Sequence, residues 1–127
     1  MLADTTAFSS FAVDDLTAAT RFYSETLGLR TTNHAPEMPL LTLHLAGDQD
    51  AMIYEKPDYA PATYTVLNFA VDDVEAAVDW LVERGVTMER YDDFDQDDKG
   101  IARDQGGPPI AWFKDPAGNI LAVLTPA

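Results

Sequence analysis

The sequence predicts an α+β fold built from two copies of one βαβββ module, and three observations carry the prediction. The first is a repeat. Phe11-Ala12-Val13-Asp14-Asp15-Leu16-Thr17-Ala18-Ala19 returns as Phe69-Ala70-Val71-Asp72-Asp73-Val74-Glu75-Ala76-Ala77, with seven of nine positions identical. The second is the order of signals inside each copy: an apolar run, an Asp pair, a helical stripe, then a stopping glycine. The third is Asp115-Pro116-Ala117-Gly118 between two apolar runs, a type I turn signal because Pro suits its second position and Gly its fourth. Gly47-Asp48-Gln49-Asp50 takes the matching place in the first copy. The modules run over about 1–60 and 61–127 of a single 127-residue domain, joined at 56–62, where Pro57 and Pro61 stand.

Each element has a local reason. The first strands are expected at 7–13 and 64–71. Asp14-Asp15 and Asp72-Asp73 follow, and Asp caps a helix start because its carboxylate accepts free backbone N–H groups. Val74, Ala77, Val78, Leu81 and Val82 then make one apolar stripe at helical spacing, as Leu16, Ala19, Tyr23 and Leu27 do in the first copy. Gly28 and Gly85 end the helices. Three strands are expected after each helix, at 30–33, 40–45 and 51–55, and at 87–91, 110–114 and 119–124. Residues 92–109 form a long acidic, Gly-containing loop, read as a functional lid or a mobile segment.

Composition excludes several function classes. Without cysteine there is no disulfide, thiolate metal site or cysteine nucleophile, which suits the cytoplasm. A formal net charge of −14 repels phosphate backbones and anionic lipid, so neither nucleic acid nor membrane is an expected partner. The charge is read first as a solubility feature and second as attraction for a cationic ligand. Residues 1–6 lack the basic patch and apolar stretch of a signal peptide, and no apolar run is long enough to span a bilayer. No Gly-x-Ser-x-Gly elbow occurs, and Gly106-Gly107-Pro108-Pro109 is a turn, not a nucleotide cradle.

Two signatures resemble the vicinal oxygen chelate superfamily, which includes glyoxalase I, bleomycin-resistance proteins and extradiol dioxygenases. The opening one is Val13-Asp14-Asp15-Leu16, Phe22-Tyr23 and Leu27-Gly28-Leu29; the closing one is Trp112-Phe113-Lys114-Asp115-Pro116-Ala117-Gly118-Asn119. The resemblance implies an open, cup-shaped mixed sheet with helices outside, a small organic ligand in the cup, and a homodimer. It also places the family's four metal-ligand positions on Phe8, Val66, Ala122 and Ile53, the last give or take a residue. None of these side chains donates an electron pair to a divalent metal, so the expectation is a site without metal or cofactor.

Strand alternation then assigns faces. Ser9, Phe11 and Val13 are expected on the helix side, and Phe8, Ser10 and Ala12 on the cup side. Leu67, Phe69 and Val71 pack outward, while Val66, Asn68 and Ala70, with Ile120, Ala122 and Leu124, face the cup. Asn68 is expected as an amide in need of a partner, either a ligand or a neighbouring side chain or water, and Trp112, Tyr91 and Tyr54 are read first as core and second as stacking walls, with Tyr54 alternatively on the helix side. The ligand-binding set is therefore Phe8, Ser10, Asn68, Val66, Ile53, Trp112, Ala122 and Tyr91. His44 is read first as a half-exposed strand histidine and second as an acid/base group; His34 is read as exposed. The aspartates at 92, 93, 95, 97 and 98 lack EF-hand spacing and are read as a solvated loop. The functional expectation is a metal-independent protein that sequesters or acts on a small metabolite or antibiotic. A metal-free or metal-dependent lyase or dioxygenase is the alternative.

Overall fold

The computed structural model describes residues 1–103 and 107–126. The chain divides into two compact units, Met1–Pro61 and Ala62–Ala127. In the first, a short 3-10 turn (Leu2–Asp4) precedes β1 (Ser9–Val13), α1 (Leu16–Arg21), a π-helical turn (Phe22–Thr26), β2 (Arg30–Asn33), β3 (Leu40–Leu45) and β4 (Gln49–Glu55). The sheet order is β1-β4-β3-β2, with β1 parallel to β4 and the other pairs antiparallel. The helix starts as its residues dictate. Asp15 accepts from the Ala18 N–H (3.1 Å), and Glu55, at the end of β4, accepts from the Leu16 N–H (2.8 Å). The helix then widens where one continuous α-helix was expected. Leu27 N–H reaches back to the Phe22 carbonyl (2.9 Å), five residues away. Thr20 and Ser24 hydroxyls each donate to the carbonyl four residues earlier, in competition with the helix ladder. Tyr23 and Leu27 stay buried with Leu16 and Ala19, and Tyr23 meets Phe11 edge-on at 6.2 Å.

The second unit holds β5 (Thr65–Ala70), α2 (Val74–Glu83), β6 (Ile110–Lys114) and β7 (Ile120–Leu124), in sheet order β5-β7-β6. Asp73 caps α2 by accepting from the Ala76 N–H (3.1 Å), the counterpart of Asp15. Val74, Val78 and Leu81 are buried, but Val82 is 53% exposed and lies outside the buried stripe. The strand expected at 87–91 is reduced to one bridge, Met88 to Phe113, with Glu89 N–H bonding the Trp112 carbonyl (2.8 Å). The chain then leaves the edge of β6, because Gln96 captures the next backbone groups, as described below. The Asp115–Asn119 turn forms as expected. Asp115 Oδ1 accepts from the N–H groups of Ala117 (3.0 Å) and Asn119 (2.9 Å), and Oδ2 from the Asn119 side chain (3.1 Å). Both residues are buried. Gly106 of the predicted Gly-Gly-Pro-Pro turn lies outside the described residues, while Gly107 and Pro108 form a bend.

Candidate functional site

The register of the second sheet sorts its side chains into two faces. Leu67, Leu121 and Phe113 align on one face with Phe69, Val123 and Ala111, and α2 packs on β6 and β7. Asn68, Ala122 and Trp112 align on the other, next to Ala70, Leu124 and Ile110. On this face Trp112, Ala122 and Ala102 form a buried cluster, against which Tyr91, Ile110 and Ile120 pack. Three aromatic rings meet here. Phe94 stacks on Trp112 (4.8 Å between centroids, 28°), and Tyr91 stands edge-on to Trp112 (5.5 Å) and to Phe94 (6.4 Å). These rings and Tyr64 wall a hollow of about 510 Å³ with Ile110 and Ile120. Thr63, Thr65 and Asp93 complete its lining, which contains no cation among the described residues.

Tyr91 Oη is the unusual atom. It is buried, and no hydrogen-bond partner reaches it; among the described residues it is the one buried side-chain polar atom in that state. Such an atom costs roughly 1–3 kcal/mol in lost hydration. Burial, helped by the nearby Glu89 carboxylate, pushes the phenol above its ordinary value, so Tyr91 stays a neutral donor at physiological pH.

The acidic loop that carries Phe94 is tied down over its described part. Gln96 Oε1 accepts from Tyr91 N–H (2.7 Å), and Gln96 Nε2 donates to the carbonyls of Glu89 (3.0 Å) and Gly100 (2.7 Å). Asp97 accepts from the N–H groups of Lys99 and Ile101 (both 2.9 Å) and from Arg103 Nε (3.2 Å). Burial works to raise the Asp97 carboxyl, but these hydrogen bonds and the Arg103 charge outweigh it and hold the group below its ordinary value. Lys99 ties the loop to α2 through Glu75 (3.0 Å) and Asp79 (2.9 Å). Gly100 has φ +83, a left-handed backbone conformation that favours glycine. On the helix side of this loop, Val82 lines a second hollow of about 620 Å³ with Val78, Val86 and Met88.

The first sheet has an open face of different chemistry. Ser10, Met52, Thr42 and Thr32 align across it, flanked by Ala12, Tyr54 and Leu40 on one side and Asp50, His44 and Arg30 on the other. A hydrogen-bonded chain crosses three strands there. Asp50 Oδ1 meets His44 Nδ1 (3.2 Å), and His44 Nε2 meets Thr32 Oγ1 (2.8 Å). His34 Nε2 meets the buried Thr42 hydroxyl (2.9 Å), which also points at Met52 Sδ (3.3 Å).

Trp112, Ala122 and Tyr91 of the expected set come together in the second unit. Asn68 shares their face but is exposed, so it is not the buried amide expected. Val66 sits half-buried at an irregularity between Thr65 and Leu67, where the register with β7 shifts. Phe8, one residue before β1, is 64% exposed, and Ser10 is exposed opposite Met52. Ile53 requires a correction. It aligns with Phe11 and Leu41 and is fully buried on the helix side; the open-face positions of β4 are Met52 and Tyr54. A single step along a strand reverses the face. His34 is half-buried and bonded, not simply exposed. Phe94, Tyr64 and Asp93 were missed, although a lone aromatic inside Asp92-Asp93-Phe94-Asp95 is a visible signal. Phe8, Val66, Ala122 and Met52 or Ile53 carry no donor set suited to a hard or borderline divalent metal. Among the described residues no three His, Asp or Glu side chains are grouped to hold one.

The profile of the Glyoxalase/Bleomycin resistance protein/Dioxygenase superfamily matches residues 4–123. The chain belongs to this superfamily. Solved structures of glyoxalase-fold proteins cover nearly all of it. A glyoxalase/bleomycin resistance protein from Streptomyces sp. CB03234 is 26% identical, with TM-score 0.66 over 95% of this chain and 100% of that one. TnmS3, an antibiotic binding protein from the same organism, is 25% identical, with TM-score 0.70 over 98% of each chain. A glyoxalase family protein from Enterococcus faecalis is 26% identical, with TM-score 0.66 over 98% of this chain and 99% of that one. No curated protein matches the chain at a significant level. The α+β architecture expected for the superfamily is present as sheets of four and three strands. No helix among the described residues is long and apolar enough to cross a membrane.

Proposed function

We propose that this superfamily member is a metal-independent small-molecule-binding protein that sequesters or acts on an organic metabolite or antibiotic. In this reading both modules form one domain of a cytoplasmic homodimer. The observation that carries it is the aromatic hollow of the second unit, walled by Tyr64, Tyr91, Phe94 and Trp112. A mostly apolar hollow with a few polar groups, here Thr63, Thr65 and Asp93, is the usual composition of a small-molecule site. The apolar residues at Phe8, Val66 and Ala122 support binding without a metal, and the antibiotic-binding neighbour supports the ligand class.

Native mass spectrometry of the purified protein, followed by a denatured spectrum, tests this reading. The expected result is a metal-free dimer, or one carrying an organic adduct that is lost on denaturation. A stoichiometric divalent metal that chelators strip together with ligand binding would overturn it.

One observation favours a second reading, metal-free acid/base chemistry. The Asp50–His44–Thr32 chain holds the imidazole of His44 by both nitrogens, the arrangement in which a carboxylate orients a base toward a hydroxyl. Turnover of a carbonyl substrate that His44→Ala abolishes would establish it; turnover indifferent to that change would remove it.

A further inference from the structure

Resting on the binding reading above, we propose the class of ligand that the hollow of the second unit takes: an organic cation, an amine or quaternary ammonium that carries apolar groups. The carboxylate of Asp93 and the ring surfaces of Phe94 and Tyr64 recognise it.

Charge comes first. Asp93 is the one charged residue of the lining, it is exposed, and its carboxylate has no ion-pair partner among the described residues. Asp92 and Asp95 stand close to it in the chain, and the protein carries a formal net charge of −14, so the local field favours a positive guest over a neutral or negative one. The aromatic walls act in the same direction. The face of an aromatic ring is its negative part and attracts a cation lying over it. Phe94 stays 39% exposed although it stacks on Trp112, and Tyr64 is 69% exposed. These two rings offer the free surface, while Trp112 and Tyr91 brace Phe94. Ile110 and Ile120 then ask for carbon on the guest. A small, strongly hydrated ammonium loses its water against such walls, whereas an alkylated one carries its own apolar shell. A hollow of about 510 Å³ has room for that shell. A metal ion is not the guest, since one carboxylate lines the hollow and no three His, Asp or Glu side chains are grouped among the described residues.

Titrations followed by amide NMR of the full chain test the class, because they report affinity and place together. Three probes of one shape separate the charges: benzyl(2-hydroxyethyl)dimethylammonium; 3,3-dimethyl-4-phenylbutan-1-ol, its uncharged carbon isostere; and 3,3-dimethyl-4-phenylbutanoate, an anion. The cation is expected to bind about tenfold more tightly than the alcohol, with shifts at 63–65 and 91–94, and the anion to bind most weakly. The gap between cation and alcohol should narrow as salt rises. Asp93→Asn should weaken the cation by roughly three- to tenfold and leave the alcohol unchanged. Glu83→Gln removes the same charge from α2, outside this lining, and should leave both unchanged. Tyr64→Leu keeps an apolar wall on an exposed position but removes the ring face, so it should weaken the cation about threefold and spare the alcohol.

Equal or tighter binding of the alcohol or the anion at this hollow overturns the cationic class and leaves the binding reading standing. A cation that responds equally to Asp93→Asn and Glu83→Gln is drawn by net charge alone, which overturns the assignment to the hollow. Failure of all three probes to bind also overturns the class; an organic adduct on the purified protein would then keep the binding reading, and its absence would remove both.

Discussion

Single atoms decide much of the behaviour expected of this molecule. Tyr91 is raised above the ordinary tyrosine value by burial and by Glu89, so the fold favours its protonated form. The unfolded chain loses that proton first as pH rises, so the stabilisation is present below the ordinary value and disappears through the raised one. Urea melts at about pH 8 and about pH 11 should show a smaller alkaline loss for Tyr91→Phe than for the parent. Asp115 tests a satisfied group instead. Its carboxylate takes two backbone N–H groups and the Asn119 amide in a buried turn, so Asp115→Ala should cost about 2–4 kcal/mol in chemical denaturation. That turn was legible because Asp, Pro and Gly encode it within five residues. Ile53 was not. Its facing depends on where β4 begins, and β4 begins at Gln49, two residues ahead of the expected strand. Nothing within the apolar run itself says which of Met52 or Ile53 looks outward.

At the level of elements, the two helix starts are near copies. Asp15 and Asp73 accept from the third N–H beyond them at the same 3.1 Å, so Asp15→Ala and Asp73→Ala should each cost about 1 kcal/mol, read by urea denaturation. The Glu55 carboxylate, which accepts from the Leu16 N–H, gives the first helix an additional partner. The loop after Met88 was the least legible element. Its acidic sequence reads as solvated, yet Gln96 and Asp97 close it on itself with side-chain bonds that no periodicity announces. Asp97 is held below its ordinary value, so its contribution is present at neutral pH and is lost as pH falls through the lowered folded value. Limited proteolysis should find cleavage within 92–103 enhanced for Asp97→Asn at neutral pH, and in the parent chain at low pH.

For the whole molecule, charge is the dominant long-range term. Asp and Glu number 22 against 8 Lys and Arg, and the ion pairs found engage few of those carboxylates. Screening of this repulsion should outweigh the weakening of exposed ion pairs, so the melting temperature should rise as salt goes from about 0.01 M to about 0.15 M. A melting temperature that falls over that range would show the Lys99 and Arg103 pairs to matter more than the net charge. The superfamily was legible because its signatures are short and the repeat doubles them. The hollow was not, because its walls come from 63–65, 91–94 and 110–120, segments that only folding brings together.

The parallel pairs of β1 with β4 and β5 with β7 set a timetable for the nascent chain. β1 emerges from the ribosome first but has no neighbour until β4 follows, with a helix and two strands made in between. β5 waits in the same way for β7. Pairings so distant along the chain close slowly. During that wait two first strands that run into the same Phe-Ala-Val-Asp-Asp sequence are exposed, each a passable substitute for the other. Refolding at high protein concentration would then favour exchanged strands between molecules, a hazard the internal duplication carries with it.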